Sequence, residues 1–218
     1  KGKAGDMRKL DPHVVKRKLR QLGVTELDVI TAGPPCQGFS RVGRGKLDSL
    51  ADRSGAFFKD RRNVLYKNAI DFLRVLRPKA FIFENVAGML HLRGTNVAEA
   101  VCRAVEDAGY IVKCGLLNSA WYGIPQARER VFIIGIRADL GIEPTLPAIT
   151  HRTARRRGLI STATLSDATW ERRDLFVPFA DLVEDATQRA PVTVLKALGD
   201  LPDFVAHLAA QMDKIIAS

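Results

Sequence analysis

Short apolar, β-branched runs alternate with amphipathic stretches along most of the chain, a rhythm that predicts strands separated by helices. Val14, Val15, Leu19 and Leu22 form one apolar stripe behind Asp11, a natural N-cap, and Pro12, which fits a first turn; Gly23 ends that helix. Leu27 to Ile30 reads as a short strand, stopped by Gly33, Pro34 and Pro35. Asn63 to Leu76 predicts a second helix, with Leu65, Ile70, Phe72, Leu73 and Leu76 on its buried side and Pro78 as the break. Ala80-Phe81-Ile82-Phe83 is a near-continuous apolar run, the pattern of a strand in a sheet covered on both faces. A third helix is expected over Asn96 to Ala108, closed by Gly109. Strands follow at Tyr110 to Leu117 and Val131 to Ile136. Strand, helix, strand in that order implies an α/β fold with a right-handed parallel crossover, and the last two strands are placed to pair antiparallel.

The pattern fades after Arg137. Pro144, Pro147, Thr150 and His151 read as an extended loop, and Arg152, Arg155, Arg156 and Arg157 as a basic cluster. Val192 to Leu198 suits a short helix ended by Gly199, and the tail from Phe204 has helical spacing through Val205, Leu208, Met212 and Ile215. Earlier, Arg41 to Arg62 forms a long irregular basic segment with Gly43, Gly45 and Gly55. Loops of that length inside domains are usually functional.

Composition narrows the classes. Hydrophobic residues make up 46% and charged residues 27%, ordinary for a water-soluble globular chain. No apolar run reaches the length of a membrane span and no signal peptide is visible, so a cytoplasmic protein is expected. Cys36, Cys102 and Cys114 lack metal-ligand spacing and cannot all pair, which argues for a reducing compartment and against a zinc site or disulfide scaffold. The net charge of +10 points to a polyanionic partner, nucleic acid first.

Three strand tips carry reactive groups. Cys36 follows a Pro-Pro turn and precedes a polar loop, so it is placed for chemistry, whereas Cys102 and Cys114 fall among core residues. Glu84 ends the buried strand at Glu84-Asn85-Val86; helix capping is the structural alternative. Arg128 and Arg130 alternate before the last strand, which directs both to one face; solubilising arginines are the alternative. Parallel strands would bring Cys36 and Glu84 to one edge of the sheet.

These tips resemble those of the DNA (cytosine-5) methyltransferases. Pro35-Cys36-Gln37 is similar to the family's nucleophile motif, Glu84-Asn85-Val86 to its acid motif and Gln126-x-Arg128-x-Arg130 to its arginine motif. Gly5-Asp6-Met7 resembles the segment that contacts the adenine of S-adenosyl-L-methionine (AdoMet), and Asp60-Arg61-Arg62-Asn63-Val64-Leu65 the helix start beside it. The resemblance implies a doubly wound, mostly parallel sheet of the AdoMet-dependent methyltransferase type, incomplete here, with an antiparallel last strand. It implies a catalytic core over residues 1–140. Residues 141–218 become a basic linker and lead-in to a target recognition region, signalled by Ala197-Leu198-Gly199-Asp200-Leu201-Pro202. The family's glycine-rich first motif is not found before Gly5, nor its late motifs after Arg137. A catalytic-core fragment or half of a split enzyme is therefore expected, completed by another chain or segment.

The resemblance also assigns roles. Cys36, Glu84, Arg128 and Arg130 are expected to be catalytic. Asp6, Met7, Pro35 and Leu65 would hold AdoMet, and Gln37, Ser40, Arg41, Asn85 and Gln126 would contact DNA; no metal is expected. Methyl transfer to C5 of a flipped cytosine through a covalent adduct at C6 is the implied reaction. A tRNA cytosine-5 methyltransferase and a non-catalytic nucleic-acid-binding fragment are the alternatives.

Overall fold

The computed structural model describes residues 9–35, 65–91, 95–151, 170–183 and 189–199. Gly5-Asp6-Met7, Cys36, Gln37, Ser40, Arg41 and the rest of the 41–62 segment, the 152–157 cluster and the tail from 204 lie outside them. The chain divides into two units: Lys1–Leu117, Glu129–Ala148 and Arg156–Val183 form one, and Asn118–Arg128, Ile149–Arg155 and Glu184–Ser218 the other.

In the first unit, α1 (Pro12–Gln21) begins where its cap dictates: Asp11 Oδ1 accepts from the His13 amide at 2.8 Å, with Pro12 in the first turn. Val14, Val15 and Leu19 are half-buried. Leu22 departs from the expected stripe and is 79% exposed, because it is the C-cap and its backbone has already left the helix. Lys16 Nζ donates to the Val75 carbonyl at 2.7 Å, which sets a cation against the carbonyl end of α2 (Leu65–Leu76). α2 buries Ala69, Ile70, Phe72 and Leu73, and its Leu65 and Leu76 are half-buried.

Strand β1 (Val29–Ala32) lies parallel to β2 (Ala80–Val86), with Val29 opposite Ala80 and Ala32 opposite Phe83. β4 (Glu129–Arg137) runs antiparallel to β2, from Ala80 opposite Ile136 to Val86 opposite Arg130. With β3 (Tyr110–Asn118) beside β4, the order is β1-β2-β4-β3. Among the described residues the sheet is therefore mixed rather than mostly parallel. β2 also departs from expectation. Phe81, Phe83 and Asn85 are buried while Ala80, Ile82 and Glu84 are only half-buried, so one face is sealed and the other partly open.

α3 (Val97–Glu106) starts at Asn96, whose Oδ1 accepts from the Glu99 amide at 3.1 Å. It lies close against β4: a Cβ on Gly135 would stand 2.9 Å from Val105 Cγ1, so only glycine fits there. Phe81, Phe83, Leu73, Val101, Val105 and Ile133 form the centre of one apolar core, which also holds Cys102 and Cys114 as expected. At the end of the sheet where β1 and β2 begin, Lys79 pairs with Glu26 at 3.3 Å and Asp28 at 2.8 Å, and Arg137 with Glu26 at 2.9 Å and Asp139 at 2.7 Å. Arg137, then Lys79, hold the Glu26 carboxyl below its usual range, and Lys79 does the same for Asp28. This solvated network ties three strands at one end and leaves the other end for chemistry.

A later segment joins the core without a periodic signal. Val177 donates to the Cys114 carbonyl at 2.8 Å, and Phe176 bridges Cys114 in the parallel sense. Trp170, Leu175 and Phe176 are buried, with the two rings 5.2 Å apart. Glu99, only 5% exposed, holds this segment. It accepts from Arg103 at 2.6 Å, from the Glu171 amide at 3.0 Å and from the Arg172 amide at 3.2 Å. Burial pushes its carboxyl up, but Arg103 and the two amides outweigh burial and hold it below the ordinary value. Its contribution to stability is thus present above the ordinary carboxylate range and is lost as the pH falls. Glu99→Ala leaves Arg103 and two part-buried amides without their acceptor and is expected to cost about 2 kcal/mol in urea denaturation. A loss below about 1 kcal/mol would show that Glu99 does not anchor the segment.

In the second unit, Asn118–Arg128 contains a short 3-10 turn at Ser119–Tyr122. Thr150 and His151 both donate their amides to the Trp121 carbonyl, at 3.1 and 2.9 Å, and the Arg189 amide donates to the Thr150 carbonyl at 3.0 Å. α4 (Val194–Ala197) is shorter than the sequence pattern predicts and is capped by Thr193, whose hydroxyl accepts from the Lys196 amide at 3.1 Å.

Candidate active site

Pro34 and Pro35 carry no amide hydrogen, so the β1 ladder cannot continue past Gly33. The carbonyl of Pro34 is instead caught by a side chain from the neighbouring strand. Asn85 Nδ2 donates to it at 3.1 Å, while Asn85 Oδ1 accepts from the Val86 amide at 2.9 Å. Asn85 is 3% exposed, so its amide is committed to holding the two strand tips together. The resemblance gives it a DNA contact; the structure shows it holding Pro34, two residues before Cys36 in the sequence.

Glu84 precedes Asn85 and points the other way from the sealed face, as strand alternation requires. Its Oε2 lies 3.6 Å from where a Cβ on Gly33 would stand, so the carboxylate sits beside the end of β1. Arg130 Nε donates to Glu84 Oε1 at 2.8 Å. A second guanidinium nitrogen, Nη1, donates to the Glu129 carbonyl at 2.7 Å, which orients the planar fork. Antiparallel pairing explains the meeting: Arg130 opens β4 opposite Val86, at the end of β2. The Glu84 and Arg130 side chains retain 39% and 21% of their exposure, so the pair is reachable from solvent.

The first unit thus brings Glu84 and Arg130 together beside the end of β1; Cys36, the third member of the expected group, lies outside the described residues. Arg128 belongs to the second unit. β4 begins only at Glu129, so strand alternation does not extend to Arg128 and cannot direct it to the face of Arg130. Arg128 and Gln126 are both exposed in a turn. Pro35 is exposed at the end of β1, and Leu65 is half-buried in the first turn of α2. Sequence reasoning passed over Asn118, whose side chain accepts from Arg128. A lone polar residue at a strand end carries no periodic signal, and its partner lies across a turn. Among the described residues no group of His, Cys, Asp and Glu is arranged to hold a metal, and no helix is long and apolar enough to cross a membrane.

Chemically, a carboxyl and a guanidinium side by side offer a planar set of acceptors and donors. Such a set matches the edge of a heterocycle carrying a ring nitrogen, an amine and a carbonyl.

Comparison with known proteins bears on the family of the chain. The signature of the C-5 cytosine-specific DNA methylases matches residues 1–192. The type II methyltransferase M.AgeI of Thalassovita gelatinovora is 37% identical over 193 residues, which is 87% of this chain and 38% of that protein. M1.HphI, a type II methyltransferase of Haemophilus parahaemolyticus, is 40% identical over 135 residues, 61% of this chain and 33% of that protein. The crystal structure described as a prophage-encoded DNA modification methyltransferase of E. coli superposes with a TM-score of 0.53 at 22% identity, covering 89% of this chain and 40% of that one, a likeness of fold. The chain spans less than half the length of these curated relatives.

Proposed function

The chain belongs to the C-5 cytosine-specific DNA methylase family, and we propose that the protein it comes from transfers a methyl group from AdoMet to C5 of cytosine in DNA. The observation that carries this reading is the 2.8 Å pair of Arg130 and Glu84 beside Gly33 at the end of β1, three residues before Cys36 in the sequence. C5 of cytosine is too poor a nucleophile to take a methyl group directly. Addition of the Cys36 thiolate at C6 converts the ring to an enamine with electron density at C5. Neighbouring guanidinium charge favours the thiolate over a free thiol of pKa ~8.5.

As the thiolate adds, charge builds on the ring. Glu84 holds a proton at N3 and accepts from the exocyclic amine, and Arg130 donates to O2. Asn85 holds the Pro34 carbonyl against the end of β2, which keeps the end of β1 beside Glu84. Loss of the C5 proton and departure of the thiolate complete the reaction.

Pro35 and Leu65 fit the cofactor as far as the described residues reach: one is exposed at a strand tip and the other walls the start of a helix. With Asp6 and Met7 they would hold AdoMet, which supplies the electrophilic methyl group. The target base must leave the duplex, at a cost of a few kcal/mol, and the loop from Gln37 to Phe58, which carries Ser40 and Arg41, is the natural cover over it. Gln126 and Arg128 would contact the DNA substrate.

The described strands make up one side of a doubly wound sheet. Residues 1–140 act as the catalytic core and 141–218 as the lead-in to target recognition. The remaining motifs come from further sequence or a complementary chain. The full-length protein, incubated with labelled AdoMet, is expected to methylate duplex DNA and to form a stable adduct with 5-fluorocytosine DNA. Incorporation into tRNA and not into DNA would overturn the choice of substrate, and labelling of neither would overturn the activity.

A further inference from the structure

Gln126 and Arg128 are exposed residues of a turn without regular secondary structure, yet the backbone that carries them is held as firmly as a strand. Asn118 is 4% exposed, and its Oδ1 accepts two amides at once: Ala120 at 3.0 Å and Arg128 at 3.2 Å. Ser119 completes the clamp from the next position. Its amide donates to the Arg128 carbonyl at 3.1 Å, and its hydroxyl donates to the Gln126 carbonyl at 2.5 Å. Ile124 donates back to the Ser119 carbonyl at 3.3 Å. Gly123, at φ 83, reverses the chain between them where the His151 ring leaves no room for a Cβ: Cε1 would lie 2.5 Å away.

From this arrangement we infer that Asn118, supported by Ser119, is a positioning residue for the Gln126–Arg128 turn, the device that aims these side chains at the substrate. The amide and carbonyl of Arg128 are both fixed, so only its side-chain torsions remain to be ordered when substrate arrives. A long cation on an unclamped loop would have to freeze its backbone as well. The chemistry of the clamp is specific. Asn118 acts through one acceptor oxygen, so a carboxylate of the same shape can replace it and a methyl group cannot. The inference rests on the reading of Gln126 and Arg128 as substrate contacts, and its test separates the clamp from that reading.

In the full-length protein, Asn118→Ala is expected to speed amide exchange at Arg128 by about tenfold while β2 and β4 amides keep their protection. The same variant is expected to lower kcat about 30-fold, with AdoMet affinity within about twofold of the parent, because misplaced contacts cost the reacting geometry most. Asn118→Asp restores both readouts to within about threefold of the parent. Should Asn118→Ala fold poorly, Ser119→Ala, which keeps the backbone bond to Arg128 and loses only the hydroxyl, is expected to lower kcat about fivefold. Unchanged exchange at Arg128, an unchanged kcat, or an aspartate variant no better than alanine overturns the inference. A parent protein that methylates no nucleic acid overturns the substrate reading instead, while exchange at Arg128 still judges the clamp.

Discussion

Cys36→Ser is expected to abolish both methyl transfer and adduct formation on 5-fluorocytosine DNA in the full-length protein, a drop beyond about 10⁴-fold. Serine matches the size of cysteine, but its hydroxyl is far less acidic and forms almost no alkoxide near neutral pH. The ring is then never activated at C5. The other two cysteines cannot substitute. Cys102 and Cys114 are fully buried in the core, and burial pushes the Cys102 thiol well above its ordinary value. Thiol reagents applied to the native protein should therefore label Cys36 and spare these two. Because the thiol adds to a base already bound, DNA affinity should be preserved in Cys36→Ser. An adduct that still formed in the serine variant would refute the assignment of the nucleophile.

The second large effect is expected at Arg130. Arg130→Ala should lower kcat by about 10²- to 10³-fold with little change in AdoMet affinity, the scale of one well-aimed donor lost from a transition state. The substitution removes the donor to O2 and also leaves Glu84 without its 2.8 Å partner. Arg130→Lys should recover little: an ammonium cannot bind the Glu129 carbonyl, the carboxylate and a base oxygen with one rigid plane. Glu84→Gln provides the complementary measurement. It keeps an oxygen toward Arg130 but has no acidic proton for N3, so kcat should fall while the fold is retained. A kcat within about tenfold of the parent in Arg130→Ala would remove this residue from the mechanism.

The site was legible in the sequence wherever chemistry coincided with a strand ending. Pro34-Pro35 before Cys36, and Glu84-Asn85 after an apolar run, signal both a stop and a reactive group. The antiparallel turn of β4 then follows from the short connection after β3. Local pattern could not reveal partners distant along the chain. The resemblance places Asn85 among the substrate contacts, and no structural partner is signalled in the sequence. The structure adds a partner, the carbonyl of Pro34 at the end of β1, visible only once Pro34 and Asn85 are side by side. Arg128 and Arg130 look equivalent by alternation, yet the strand starts between them. Glu99 gives no local sign of burial in the sequence; it is buried because the amides of Glu171 and Arg172, 72 and 73 residues along the chain, close over it. Leu22 shows the opposite limit: its spacing fits the stripe, but the helix has ended at that residue.

The placement of β1 has a consequence for how the sheet can grow. Among the described residues this strand has a hydrogen-bonded neighbour on one flank only, and Val29 and Val24 beside it are 51% and 36% exposed. An open flank of this kind recruits any extended peptide that offers alternating amides and carbonyls. A further strand, from this chain or from another, would extend the sheet at β1. The same flank offers a natural seam at which two polypeptides can be rejoined into one continuous sheet.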